Sequence, residues 1–452
     1  MNHENRLTRE AGNLLRNRFA GEVFTVTAGM AGAQLITLGF SPFITRLYGP
    51  EAFGALGIFV AMAALVTPVA TLSYDLAVVL PASDEEARVI GRAAARVGFV
   101  LSACLLVIVL LFGREIAGLF DFSLPHTYLL LLPVVLLLAG LEQVLIRWLV
   151  RKRLFRGVST AKLGQATFAG AAMTGLGLVS PVAPFLLLSN VVGRAVNATL
   201  LWLSARPTLR GGATDTRNTH NAPDTRAVLR MYTDFPRYRA PQQLLQSTSN
   251  SVAPLLLAAL FGPVATGFYA LSQRVLAVPG ALVAGSVGTV LLPRLAARAQ
   301  AGGSLRAPVL KATAGLGILG LLPFGVIVLW GPELFGLVFG SEWTASGEYS
   351  RWLSLWLYFN FAGVPCGQAA PVLGLQRQLL GLEIASVAAR GAGLLIGAMA
   401  LNSVLAAVAM FSVAGAALQA VRIIWVLARS SGPVHSSYYR GSGESSVPSD
   451  DA

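Results

Sequence analysis

Residues 48–81 read YGPEAFGALGIFVAMAALVTPVATLSYDLAVVLP, and residues 261–293 read FGPVATGFYALSQRVLAVPGALVAGSVGTVLLP. Gly49-Pro50, Ala52 and Gly54 match Gly262-Pro263, Ala265 and Gly267 in order and spacing, and Leu80-Pro81 matches Leu292-Pro293 after a one-residue gap. A Gly-Pro pair suits a tight turn followed by a helix start, because proline presets the first helical φ. The chain thus holds an internal repeat of a turn and the long apolar segment after it.

The rest of the chain says what kind of repeat this is. Hydrophobic residues make up 55% and charged residues 12%, against roughly 25% charged in an average soluble domain. Apolar segments of about 20 residues recur along the whole length, each enough to cross a bilayer as a helix. The alternating pattern of a membrane barrel is missing, which leaves helices. The sequence predicts spans near 22–47, 53–80, 93–112, 127–150, 158–179, 183–204, 238–261, 267–292, 311–330, 351–373, 381–400 and 404–428. The expected fold is an all-α polytopic membrane protein of twelve helices in two six-helix halves.

The net charge of +13 is a matter of placement. Basic residues crowd the N-terminal arm and the loops after every second span, such as Arg88 and Arg92, then Arg151, Lys152, Arg153 and Arg156. The opposite loops hold Arg46, Arg114 and little else. That bias puts both termini in the cytoplasm and argues against nucleic acid as a partner. Both repeat copies then start on the same side, a parallel relation that in transporters puts the substrate between the halves.

The expected organisation is a cytoplasmic arm (1–21), a first half (22–204), a linker rich in Gly, Thr, Asn and Arg (205–237), a second half (238–428) and a disordered tail (429–452). The first apolar segment begins near Phe24 and is too long for a signal-peptide core. Cys104 and Cys366 lie in apolar segments and are expected as free thiols; the four histidines lack partners at metal-ligand spacing, so no metal or cofactor is expected.

Polar residues inside the spans carry the functional reading. A charge at the centre of a spanning helix costs about 2.5–3.5 kcal/mol on insertion scales, so it usually faces a cavity or a partner. Arg239, Gln243, Gln246 and Asn250 share one helical face. Asp75, Glu142, Arg147, Arg194, Gln273, Arg274 and Arg390 also fall within spans. Amides suit sugar hydroxyls, because they donate and accept; guanidinium forks suit phosphates. Against this, the stripe could bond between helices, Arg46 and Arg147 could snorkel, and Glu142, Arg194 and Arg390 could form structural ion pairs or cap carbonyls. Pro68, Pro241, Pro254, Pro279 and Pro365 are candidate hinges. Residues 331–350 read as the longest outer loop, with an interfacial Trp343 and no catalytic cluster.

ITRLYGPEAFGALGIF (44–59), TLSYDLAVVLPASDEEA (71–87) and FPRYRAPQQLLQSTSNSVAPLLLAALFG (235–262) resemble the bacterial polysaccharide and O-antigen flippases of the multidrug/oligosaccharidyl-lipid/polysaccharide exporter superfamily. The resemblance covers roughly residues 15–430. It implies a V-shaped pair of bundles in the bacterial inner membrane. The cargo implied is a polyprenyl-pyrophosphate-linked oligosaccharide, moved to the outer leaflet by alternating access, with membrane lipid, a polymerase and chain-length machinery as partners. It further implies that the first two helices of each half line the cavity. That favours Gln34, Arg46, Arg239, Gln243, Gln246, Asn250, Gln273 and Arg274 for substrate, and Asp75 for coupling or an ion pair. A drug/cation antiporter of the same superfamily, the related peptidoglycan-precursor flippase, and a membrane polymerase or ligase are the competing readings.

Overall fold

The computed structural model describes residues 2–210, 230–301 and 303–431, whose regular structure is entirely helical. Helix α1 spans Asn2–Leu47, so the polar arm and the first expected span form one helix. Gly49 is extended, and Pro50 opens α2, Pro50–Val66. A short helix α3, Tyr74–Ala77, precedes α4, Asp84–Leu119. Ser83 caps α4 by accepting from the Glu86 N–H at 3.2 Å, and Asp84, Glu85 and Glu86 in its first turn suit the helix dipole. Helices α5 (Leu131–Arg151), α6 (Phe155–Val179) and α7 (Ala183–Arg210) complete the first half.

A single π-turn, Phe235–Arg239, leads into α8, Ala240–Gln300. This long helix is two limbs meeting at Gly262, whose φ of 80° and ψ of −173° are open to glycine alone at little strain. Each Gly-Pro pair therefore stands at a turn between two helical stretches, with Gly49 at φ −69° and Gly262 at φ 80°. Helices α9 (Arg306–Phe339), α10 (Thr344–Ala362), α11 (Val364–Val372), α12 (Gln376–Met399) and α13 (Val404–Arg429) follow. Eight helical stretches among the described residues are long and apolar enough to cross a membrane. The expected spans 22–47, 158–179 and 351–373 are not among them. The second is diluted by Gly, Thr, Ser, Gln and Lys; the third is broken at Gly363, where α10 ends and Pro365 starts α11. Most of the expected linker and tail lies outside the described residues.

Two expectations need correction. The span 53–80 is not one helix: α2 stops at Val66, a 3-10 turn covers Thr67–Val69, and Leu72 and Ser73 have positive φ. Pro68 cannot donate to the helical ladder, and neighbours take up the loosened backbone: Gln143 Nε2 donates to the Thr67 carbonyl at 2.9 Å. Irregular backbone at membrane depth is tolerated where protein buries it. Residues 331–350 are not a loop either. Helix α9 bends at Trp330, ahead of Pro332, and continues to Phe339; a 3-10 turn at Ser341–Trp343 then leads into α10. Trp343 is 1% exposed, not interfacial.

Trp343 marks where the halves join. Its ring meets Phe53 of α2 edge-on at 5.2 Å and Phe268 of α8 at 5.9 Å, and its N–H donates to the Thr45 carbonyl of α1 at 2.9 Å. Thr45 Oγ1 in turn donates to the Phe339 carbonyl at 3.2 Å. Ile44, Tyr48 and Phe59 of the first half share one buried cluster with Leu271, Phe335 and Phe339 of the second. At the other end the cores separate. One groups Ile90, Trp148, Leu149 and Leu201 of the first half, with Tyr232 and Phe235 against it; the other groups Leu295, Val309, Cys366 and Val426 of the second. The two halves are joined at the Gly-Pro end and keep distinct cores at the far end.

Candidate functional site

Between the Gly-Pro end and the separated ends runs a polar layer. On α8, Asn250 and Arg274 are equidistant in sequence from Gly262, about 18 Å of helix rise down each limb. On α1, Thr37 lies at the same sequence distance from Gly49. These residues therefore share one depth. Arg274 reaches across the halves there: its Nη2 donates to the Thr37 carbonyl at 3.4 Å. It is half-buried and, among the described residues, has no ion-pair partner. Gln34 is half-buried one turn away on α1, and Gln273 donates to the Tyr269 hydroxyl at 2.8 Å.

The face of α8 beginning at Arg239 splits sharply by exposure. Arg239, Gln246 and Asn250 are exposed and Gln243 is half-buried, whereas Ser247, Ser249 and Ser251 are buried. The buried serines face packing partners. Ser247 donates to the Leu65 carbonyl of α2 at 3.1 Å, tying the limb to the first half. Ser249 accepts from Arg390 Nη2 at 2.8 Å. The amides thus point away from the helix contacts, and Arg239 donates to its neighbour Gln242 at 2.8 Å. Arg46 lies elsewhere, near the Gly-Pro end, where its Nη2 donates to the Leu337 carbonyl at 2.9 Å.

The remaining intramembrane charges have partners. Asp75, 5% exposed, accepts from Thr71 Oγ1 at 2.7 Å and from Arg147 Nε at 3.2 Å. Thr71 also faces Gln143 Oε1 at 3.1 Å, so the broken stretch after α2 is closed by a polar network onto α5. Glu142 of α5 pairs with Arg194 of α7 at 3.6 Å. Arg390, 4% exposed, forms no salt bridge among the described residues: besides Ser249, it stacks over Trp356 at 4.8 Å and Phe411 at 5.4 Å. Cation–π contacts of this kind gain strength when desolvated. Two charges escaped the sequence reading. Lys162 of α6 donates to Gln165 at 3.2 Å, and Arg422 of α13 lies against Gly363. Both stand near helix ends, where a basic residue reads as a snorkelling anchor.

The first half thus neutralises its buried acids internally, while the layer between the halves is lined by amides and an unpaired guanidinium. Such a lining can bind hydroxyls and an anion. Among the described residues no group of three or more His, Cys, Asp or Glu converges as metal ligands would.

The family model described as "Polysaccharide biosynthesis protein" matches residues 43–348. A comparison with curated protein sequences gives no match. Among solved structures, the chain is similar to a multidrug resistance MATE family transporter of the MOP superfamily in its inward-facing conformation. The TM-score is 0.67 at 15% identity, over 90% of this chain and 94% of that one. It is similar to the lipid II flippase MurJ in an inward closed conformation, with a TM-score of 0.68 at 11% identity, over 88% and 86% of the two chains. An outward-facing MATE structure gives a TM-score of 0.57 at 13% identity, over 91% and 95%.

Proposed function

The chain belongs to the polysaccharide biosynthesis protein family, and from that premise we propose that it carries the lipid-linked precursor of a cell-surface polysaccharide across a membrane. It is a multi-pass membrane protein with the fold of the MATE and MurJ exporters. The cargo in this reading is a polyprenyl-pyrophosphate-linked oligosaccharide, flipped from the cytoplasmic to the outer leaflet of the bacterial inner membrane. Twelve spans with both termini cytoplasmic, and alternating access between two six-helix halves, complete the proposal. A polymerase and its chain-length machinery take the unit onward.

The observation that carries this reading is Arg274. A cation at mid-depth, touching both halves and with no acidic partner among the described residues, suits an anionic cargo. A sugar head group with a pyrophosphate cannot cross about 30 Å of hydrocarbon unaided. Arg274 and Arg239 bind the phosphates; Gln243, Gln246, Asn250 and Gln273 bind sugar hydroxyls; Arg46 meets the cargo near the Gly-Pro end. Asp75 serves in coupling or as an ion-pair partner, and Glu142, Arg147, Arg194 and Arg390 hold helices together. No covalent step is required, so the protein acts as a carrier, not an enzyme.

The drug/cation antiporter reading asks for an unpaired acid facing the passage. Asp75 and Glu142 are both engaged by arginines, which favours the anionic cargo. The test is the leaflet in which polyprenyl-linked oligosaccharide accumulates when the protein is deleted and its glycosyltransferases are intact. Accumulation of a complete unit on the cytoplasmic face, with loss of surface glycan, is expected. Accumulation on the outer face would point to a polymerase or ligase, and none at all to drug efflux.

A further inference from the structure

A second feature lies in the first half, away from the layer between the halves. Helix α5 forms the floor of a trough of about 920 Å³, with α4 and α7 as its walls. The floor is one helical face, Leu138, Leu141, Leu145 and Trp148. Each wall has a stretch of small residues, Gly91 and Ala95 on α4 and Ala195 and Ala198 on α7, with Trp202 further along the α7 wall. Small residues on both walls leave width for a chain. The trough is apolar along its length and ends in cations. Arg88 and Arg92, one turn apart on α4, line it at the end where α4 begins.

The other two helices bring cations to the same structure. Trp148 of the floor has Lys152 Nζ 5.4 Å from its ring centre, and Trp202 of the α7 wall has the Arg206 guanidinium at 5.3 Å. The acids nearby are Asp84, Glu85 and Glu86 in the first turn of α4. Asp84 is engaged by Arg151 and Lys152. Neither Arg88 nor Arg92 takes part in an ion pair among the described residues, and Arg88 Nε is buried without a hydrogen-bond acceptor. Like charges one turn apart repel, so an unneutralised pair is a standing attraction for an anion. Trp202, 44% exposed, lies at this level, and an exposed tryptophan suits the membrane–water boundary, where phosphates lie.

We propose that this trough is a binding site for an anionic phospholipid of the adjoining leaflet, its acyl chains along α5 and its phosphate at Arg88 and Arg92. An apolar channel that ends in a fork of guanidinium donors complements a hydrocarbon chain that ends in a phosphate. A free phosphate would leave the apolar length unused, and a neutral lipid would leave the arginines unused. The site is independent of the cargo proposed above and of the residues assigned to it.

The test uses the full chain in phosphatidylcholine vesicles, with brominated phosphatidylglycerol or brominated phosphatidylcholine added in steps. The readout is quenching of Trp148 and Trp202, isolated as the difference from a Trp148→Phe/Trp202→Phe variant. Phosphatidylglycerol is expected to quench at lower mole fraction than phosphatidylcholine. Arg88→Gln and Arg92→Gln should each reduce the preference, about fivefold per guanidinium. Ala95→Phe, which narrows the trough and leaves the charges, should weaken binding of both lipids. Equal quenching by the two lipids in the native protein, or a preference that survives the double arginine variant, would overturn the proposal. So would stronger competition by a polyprenyl phosphate than by phosphatidylglycerol, which would give the trough to the cargo's own tail.

Discussion

Gly54 and Gly267 occupy matching places in the two halves, and each lies against the other half's turn proline. A Cβ at Gly54 would stand 1.8 Å from the Pro263 carbonyl oxygen, and one at Gly267 would stand 2.1 Å from that of Pro50. The repeat seen in the sequence is thus also a contact. Each hairpin offers a glycine to the other hairpin's backbone, and the hydrogen side chain sets how closely α2 and α8 approach. In a bilayer, where lipid is as apolar as leucine, such close packing is a main source of helix association.

Gly54→Ala should destabilise the closed Gly-Pro end, because backbone, not a flexible side chain, stands in the way. Overpacking of this kind costs about 1–3 kcal/mol. Gly39→Ala, where a Cβ would meet nothing within 4 Å, is the control and should be near neutral. Thermal unfolding in detergent compares them; equal midpoints would mean that the interface is looser than described.

Trp343→Ala should be among the most damaging single changes, with a loss of about 3–5 kcal/mol. Trp343→Phe keeps most of the packing but drops the donor to the Thr45 carbonyl, about 1 kcal/mol. A ranking of Ala well below Phe, and Phe below native, by urea or thermal unfolding is the expected result. A Trp343→Ala protein of native stability would contradict the buried position.

Arg274→Gln should cut glycan export at least tenfold while abundance in the membrane stays normal. Arg274→Lys should recover part of it, since the charge remains but the fork is lost. Surface glycan measured against protein level decides. Full export by the Gln variant would remove the phosphate role.

Gln246→Leu and Asn250→Leu change exposed groups, so stability should move by no more than about 0.5 kcal/mol. Export should fall nonetheless. Were unfolding midpoint and export to fall together, the amides would be helix contacts.

Asp75→Ala should weaken the protein more than Arg147→Ala does, because Asp75 is the buried partner and the Arg147 side chain is 40% exposed. With that exposure discounted, about 1–3 kcal/mol is expected for the aspartate. A double-mutant cycle should return a coupling above about 0.5 kcal/mol. Additive losses would mean that the Thr71 and Gln143 contacts, not the ion pair, hold the broken stretch.

The hairpins and the polar face of α8 are legible in the sequence because both rest on local spacing: a Gly-Pro pair with a fixed sequel, and a helical period. The break after Val66 is not, because Pro68 and hydroxyl residues are common in unbroken spanning helices, and what completes the break is Gln143, far away in sequence. Residues 331–350 look like a loop because glycine, glutamate and serine dilute their hydropathy. Trp343 looks interfacial for the same reason, although Phe53, Phe268 and Thr45 enclose it. That Arg274 touches α1 at Thr37 depends on how the halves dock, which no single span encodes.

The aromatic cluster shared at the Gly-Pro end also weights the conformational balance. Any motion that parts the halves there uncovers Trp343 and Phe53, breaks the bonds through Thr45, and separates backbones that now touch. An arrangement opened at this end loses that burial and must recover it through contacts made elsewhere or through a ligand that binds it better. The energetic demand of opening is thus concentrated in one aromatic cluster and two glycines, not spread over the length of the helices.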